Sequence, residues 1–151
     1  MTLRVDFPAG PPVPRDFVGD LGPAGVEALL QPGRVGPMEV SCRVVLPAME
    51  TNLGSREGRV TQRLVDYYAA RARGGVAWVT TENTSVHPSG RVTSLMLRIE
   101  TDEEGEAFAP LVEAVHAEGS KLLVQLSHAG RQTLSDFVGG PPWAPSAIPC
   151  P

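Results

Sequence analysis

Cysteine is scarce in this chain. Cys42 and Cys150 are the only two, they stand far apart, and neither belongs to a C-x-x-C pair. That removes a disulfide framework and a cysteine-based metal site, and it makes a reducing cytoplasm the expected setting. Long apolar runs are missing as well. No stretch approaches the roughly 18 residues of a membrane span, and the amino terminus has no basic segment followed by an apolar block, as a signal peptide would. Positive charge is in deficit: the net charge is −4, whereas a nucleic-acid partner requires a basic face against its phosphates. The three histidines, His87, His116 and His128, fall at spacings that match no metal-ligand pattern. Nucleic acid, membrane and metal are thereby set aside as partners. A small-molecule substrate remains, with an oligomer or a completing chain left open.

What is present suffices for one globular domain. The chain has 151 residues, 42% of them hydrophobic and 20% charged, enough for a real core. Glycine and proline mark the organisation. Of 31 in total, 13 fall in residues 1–37, 7 in residues 139–151 and only 11 in the 101 residues between. Residues 1–27 therefore read as a poorly ordered Pro/Gly-rich tail, residues 28–151 as the folded part, and the closing "GGPPWAPSAIPCP" as loop.

Between those ends, strand and helix signals alternate. "RVVLPAM", Arg43 to Met49, reads as a short buried strand ending near Pro47. Thr61 is placed to cap a helix whose apolar face is Leu64, Val65, Tyr68 and Ala72, and Gly74-Gly75 stops it. "VAWVTT", Val76 to Thr81, is a second buried strand. Thr101 and Glu104 have capping-box spacing before a helix with the stripe Phe108, Leu111, Val112 and Val115. Pro110 inside that helix marks a later start or a kink. His116 falls on its solvated face. Lys121 to Leu126 is the third strand. Strand, helix, strand, helix, strand, with strands buried on both faces, predicts an α/β fold on a parallel sheet, either doubly wound or a β/α barrel.

In both architectures ligands bind at the carboxyl ends of the strands. Those ends carry Met49-Glu50-Thr51-Asn52, Thr81-Glu82-Asn83-Thr84 and Gln125-Leu126-Ser127-His128. Any one of these polar groups could be a cap or a loop anchor, but three strands ending alike point to a ligand with several polar edges. "METNLGSREG" after the first strand is neither G-x-G-x-x-G nor a phosphate-binding loop, which weighs against a doubly wound dinucleotide fold. Ser127 and His128 are adjacent, which is not the arrangement of a nucleophile and its base. His87 sits in a Pro/Gly loop that could simply expose it.

"RVVLPAM", "YYAARARGGVAWVTTE", "HPSGR", "AEGSKLLVQLSHAGRQ" and "APSAIP" occur in an order and spacing that resemble the Old Yellow Enzyme family of FMN-dependent NADH:flavin oxidoreductases, to which 2,4-dienoyl-CoA reductase is related. The resemblance runs from about Leu29 to Pro149 and is most specific in "QLSHAGR" followed by "APSAIP". It implies the amino-terminal portion of a (β/α)8 TIM barrel, incomplete, with about three βα units present. It implies FMN at the strand ends, NAD(P)H as reductant, and hydride transfer to an activated alkene or related acceptor. By resemblance, Gln125 hydrogen-bonds the polar edge of the isoalloxazine, since an amide both donates and accepts. Pro47, Ala48, Met49 and Glu50 match the segment under the flavin, and Asn83 matches a residue, often small, near the pyrimidine side. His128 and Arg131 match a turn bordering the site. Glu50 departs from the pattern: relatives often carry Thr or Cys there, and a carboxylate disfavours the anionic reduced flavin. The catalytic residues of the family, and the phosphate site, are expected beyond Pro151. The chain therefore reads as a fragment of such an enzyme; the alternative is a non-catalytic remnant, or a split piece that needs a second chain to complete the barrel.

Overall fold

A computed structural model describes residues 5–6, 22–148 and 150. The remainder of the expected tail, residues 1–4 and 7–21, lies outside the described residues. Two short elements frame the start of the folded part. Strand β1 (Val5–Asp6) pairs antiparallel with β2 (Gly33–Val35), which pairs in turn with β3 (Met38–Val40). Helix α1 (Gly22–Leu29) precedes β2, so helix occupies part of the segment where proline and glycine suggest a tail.

The larger unit is parallel. Its central strand, β4 (Trp78–Ser85), pairs with β6 (Lys121–Ser127) along one edge. On the other edge β4 meets the Val44–Leu46 segment first and the short β5 (Leu97–Arg98) at its carboxyl end. The expected first strand is therefore shorter than "RVVLPAM" suggests. Its pairing consists of Ala77 N–H to Val44 O (2.8 Å), Leu46 N–H to Trp78 O (3.0 Å) and Thr80 N–H to Leu46 O (3.0 Å). It then stops at Pro47, which has no N–H to offer.

Helix α2 (Gln62–Arg73) begins where the sequence indicates. Thr61 accepts from Leu64 N–H at 3.3 Å, and Leu64, Val65, Tyr68 and Ala72 are the buried face. Gly75, at φ +90°, takes the chain out of the helix in a conformation that costs side-chain-bearing residues energy. The next helical stretch is two helices, α3 (Asp102–Glu106) and α4 (Ala109–Ala117). Pro110 lies in the first turn of α4, where a missing N–H costs nothing, so it marks a later start. Thr101 caps α3 through Glu104 N–H at 3.2 Å, while the Glu104 carboxylate reaches back to Glu100 N–H at 2.8 Å, one residue further than a standard capping box.

α2 and α4 pack on the sheet through one cluster that includes Leu64, Tyr68, Val79, Leu97, Leu111 and Val115, all buried. A second, smaller cluster of Val40, Cys42 and Ala77 seats the β2–β3 hairpin against the start of β4. The expectation that all three strands are buried on both faces comes nearest to holding for the second half of β4, where Thr81, Glu82, Thr84 and Ser85 are buried, and fails for the first strand, where Val44 is exposed, and for β6. Leu126 is 64% exposed and Gln125 is also exposed, because β4 is the only strand paired with β6 among the described residues. His116 is exposed on α4, as its position in the helical stripe implies.

Candidate functional site at the carboxyl ends of the strands

An irregularity in β4 organises this face. Against β6, Thr80 pairs with Leu123 and Asn83 with Gln125, so β4 takes three steps where β6 takes two. The extra residue is a β-bulge, a device that re-aims side chains near sites. Its effect is that Thr81 and Glu82, neighbours in sequence, are both buried. Thr81 Oγ repairs the broken ladder by accepting from Gln125 N–H at 3.3 Å. Thr84 Oγ donates to Glu82 O at 3.0 Å, and Glu82 N–H donates to the buried Tyr68 hydroxyl at 2.7 Å. Burial pushes the Tyr68 hydroxyl well above its ordinary value, so it stays neutral.

Glu82 is 1% exposed and reaches across to the end of the first parallel segment. Its Oε2 accepts from Thr51 N–H at 2.6 Å and from Thr51 Oγ. Its Oε1 is buried without a partner, as is Asn83 Oδ1. Desolvation raises the Glu82 carboxyl above its ordinary value and the Glu50 charge adds to this, while the Thr51 hydrogen bonds pull the other way. Thr51 Oγ also accepts from Leu53 N–H at 3.1 Å. Between them stands Asn52 at φ +55°, the left-handed region that residues other than glycine seldom enter.

Of the six sequence-derived site residues, Asn83 and Gln125 are direct neighbours, and the other four lie at the opposite edge of β4. Pro47, Ala48, Met49 and Glu50 lie between the Leu46 pairing and the Thr51–Glu82 bond, along one edge of β4. Asn83 and Gln125 are direct cross-strand partners on the other. Glu50 is exposed and accepts from Thr93 Oγ at 3.1 Å, which ties the segment to the β4–β5 loop.

Beside them the structure joins two histidines that the sequence leaves unconnected. Gly130 N–H donates to His128 Nδ1 at 3.1 Å. That bond leaves the proton of a neutral His128 on Nε2, 3.0 Å from Ser89 Oγ. Ser89 Oγ lies 2.7 Å from His87 Nδ1, which also accepts from Ser89 N–H at 3.2 Å. Two backbone donors thus fix the direction of the whole chain of bonds, from His128 through Ser89 to His87. Gly90 makes room for it, since a Cβ there would meet the His128 ring at 2.6 Å. Trp143 stacks on His87 at 5.3 Å between ring centres. Arg131 lies on the same turn as Gly130.

Glu82, Thr51 and Ser89 are what sequence reasoning misses as specific contacts. A signal exists for the first: four polar residues in a row, Thr81 to Thr84, cannot alternate across a regular strand and so announce a bulge. Nothing in the spacing of Ser89 announces its partners. Among the described residues no group of three or more His, Cys, Asp or Glu is arranged to hold a metal, and no helix is long and apolar enough to cross a membrane.

Comparison with known proteins gives a consistent result. Residues 28–148 match the NADH:flavin oxidoreductase / NADH oxidase family. The NADH oxidase of Thermoanaerobacter brockii is 45% identical over 124 residues, 81% of this chain and 19% of that protein. The NADPH dehydrogenase of Bacillus subtilis (strain 168) is 36% identical over 121 residues, 80% of this chain and 35% of that protein. Among solved structures, the old yellow enzyme homologue from Zymomonas mobilis superposes with a TM-score of 0.76 at 29% identity, over 82% of this chain and 34% of that one. Old Yellow Enzyme from Pichia sp. AKU4542 gives 0.73 at 31% identity, over 80% and 32%. The chain thus spans between a fifth and about a third of the length of these relatives. The parallel unit is the amino-terminal part of their (β/α)8 barrel, and no closed barrel forms among the described residues.

Proposed function

Because the chain belongs to the NADH:flavin oxidoreductase / NADH oxidase family of Old Yellow Enzymes, we propose that it supplies the flavin-facing strand ends of an FMN-dependent oxidoreductase. In this reading NAD(P)H is the reductant and a small molecule with an activated alkene, or a related acceptor, is the substrate. One observation carries the proposal: a polar surface drawn from three parallel segments, on which Asn83 and Gln125 are cross-strand partners and Asn83 Oδ1 is buried without a protein partner.

These residues fit the group. An orphaned amide oxygen in a half-buried position calls for a donor from outside the chain, and the imide edge of a flavin has one. Gln125, exposed at the end of β6, can donate and accept beside it. Pro47, Ala48 and Met49 offer a low, apolar backbone surface on which a planar ring can rest. FMN, when bound, supplies the hydride chemistry itself. The residues of this chain orient the ring's polar edge, exclude water from one side, and set the charge beneath it. Glu50 brings a negative charge there, which opposes accumulation of further negative charge on a bound ring.

The residues that hold substrate, donate a proton and bind the phosphate are assigned in this reading to the remaining barrel. Activity therefore needs a completed barrel, whether on one polypeptide or with a second. Met49 and Leu126, at 60% and 64% exposure, are the apolar surface that completion would cover. The cytoplasm is the proposed setting, supported by two free cysteines. The test is FMN retention and NAD(P)H oxidation with an activated alkene, for the chain alone and with a polypeptide supplying the remaining strands. We expect the chain alone to retain no stoichiometric FMN and the completed barrel to be yellow and active. A completed, folded barrel with no affinity for FMN would overturn the reading.

A further inference from the structure

We propose that Glu82 is a positioning residue whose carboxyl group latches Thr51 and thereby sets the course of the 47–52 segment. Its connection to flavin rests on the function proposed above; the latch itself does not.

The geometry is specific. Both bonds go to one carboxyl oxygen, Oε2, from Thr51 N–H and Thr51 Oγ. The other oxygen is buried and unpartnered. A carboxylate in that position would leave a charged oxygen desolvated with nothing to answer it, at high cost. A neutral carboxylic acid keeps the accepting oxygen for Thr51 and carries no net charge into the core. The surroundings agree. Burial raises the carboxyl above its ordinary value, and the charged group that acts on it, Glu50 at the neighbouring segment, repels a second negative charge. From α2, Tyr68 holds the backbone N–H of Glu82 and contributes no cation.

The latch has something to hold. The segment leaves its pairing at Pro47 after Leu46, so among the described residues no ladder bond fixes residues 47–50. The next anchor is Thr51, followed by the left-handed Asn52, a conformation that persists only where neighbours over-determine it. Beyond it, Thr61 Oγ donates to Leu53 O at 2.6 Å and fastens the exit of the turn to the start of α2. Glu82 thus fixes the entrance of the turn and Thr61 its exit. The bulge in β4 is what aims Glu82 at Thr51, because regular alternation would have placed Thr81 and Glu82 on opposite faces.

The test uses Glu82→Gln, Glu82→Ala and Thr51→Val in the 151-residue chain, with three readouts. Amide exchange at Thr51 reports the latch, amide exchange at Leu64 reports the core, and the infrared carbonyl band of a protonated carboxylic acid reports the charge state. We expect an acid band in the wild type that persists to higher pH than that of an ordinary carboxyl, and its loss in Glu82→Gln. Glu82→Gln should keep Thr51 protected, because an amide oxygen accepts as a neutral acid does. Glu82→Ala should lower protection at Thr51 by about tenfold, as the loss of its hydrogen bonds implies, with Leu64 still protected. If Glu82→Ala fails to fold, Thr51→Val decides: it removes the hydroxyl bond to Glu82 while leaving Glu82 in place, and exchange at position 51 and at Asn52 should then accelerate, Leu53 being set aside because its own acceptor is the deleted hydroxyl. Unchanged exchange at positions 51 and 52 in the folded variants would overturn the latch. So would absence of the acid band, or a Glu82→Gln variant that behaves like Glu82→Ala. FMN titration of the same proteins within a completed barrel is a separate arm. Failure of the wild type to bind there refutes the flavin reading, whereas wild-type binding that Glu82→Ala leaves unaltered refutes the effect of the latch on the site.

Discussion

Val79 and Asn83 stand four residues apart on β4 and live in different chemistry. Val79 is buried in one cluster with Leu64, Tyr68, Leu111 and Val115, and on either side of it Trp78 O and Thr80 N–H are bonded to Leu46. Asn83 has a buried oxygen with no partner, beside Glu82, which has another, and across from an exposed Gln125. The same contrast separates two buried carboxyls. Glu100 is met by Arg91 through two nitrogens and by Ser85 Oγ at 2.8 Å. Glu82 is met by Thr51 alone. A fold satisfies its polar groups where it is built only to be stable. At the strand ends Asn83 and Glu82 each keep a buried oxygen without a partner, and in the function proposed above the partner of Asn83 is the bound flavin.

The largest expected effect tests the completed side. Leu64→Ala removes a side chain that is 0% exposed in the main cluster and should cost about 2–5 kcal/mol by urea denaturation. Leu126→Ala makes the same chemical change on the strand-end side, at a residue 64% exposed, and should change stability by less than about 0.5 kcal/mol. Similar costs at both positions would erase the distinction between the two regions.

Next comes the ligand side. In a completed barrel, Gln125→Leu leaves the polar edge of the flavin unpaired and should weaken FMN binding by about 1–3 kcal/mol. Denaturation midpoints should stay unchanged, because the side chain is exposed in this unit. A loss of stability with FMN affinity intact would assign Gln125 to the fold instead.

How much of this was legible in the sequence follows the same division. Thr61, the Leu64–Ala72 stripe and the Pro110 start could be read because helix periodicity and capping are local. So could the gathering of Asn83 and Gln125, since parallel strands bring their carboxyl ends together whatever the loops do. The shortness of the first pairing and the half-open β6 could not be read, because burial depends on neighbours rather than on composition. Nor could the Glu82–Thr51 bond, which joins residues 31 apart through a bulge.

The pH dependence sharpens the contrast further, with opposite signs for the two carboxyls. Glu82 is raised in the folded chain, chiefly by burial. Between the unfolded value, near 4.5, and the raised folded value, the native state holds a proton that the unfolded state has lost. Its contribution to stability is therefore complete below that window and declines as pH rises through it. Glu100 runs the other way. Burial opposes ionisation, but the hydrogen bonds from Arg91 and Ser85 and the nearby Arg91 and Arg98 charges outweigh it and hold the group below its ordinary value. Its contribution is present above the unfolded value and lost as pH falls through the folded one. Urea midpoints measured across pH should show Glu82→Gln removing the decline on the alkaline side of the window and Glu100→Gln removing the decline on the acid side. The same slope in both variants as in the wild type would refute the assignment.

The smallest effect concerns the coupling between two loops at the site's border. Ser89→Ala deletes the hydroxyl that stands between His128 and His87. Each imidazole keeps its other bond. His128 Nδ1 still accepts from Gly130 N–H, and His87 Nδ1 still accepts from Ser89 N–H, a backbone group that alanine retains. Both turns should persist, and only the side-chain link through Ser89 is lost. His128 is exposed, so water can take up its freed N–H, and the stability cost should be about 0.5–1.5 kcal/mol. The informative readout is therefore local. Ala129 N–H donates to Gly90 O at 2.9 Å and, with the bond from Thr133 Oγ to Arg91 O, still joins these two turns. In Ser89→Ala its amide exchange should accelerate while that of Gly130, bonded within its own turn, stays close to wild type. Equal acceleration at both would mean that the turns themselves depend on Ser89, and equal protection would mean that the histidine chain does not couple them.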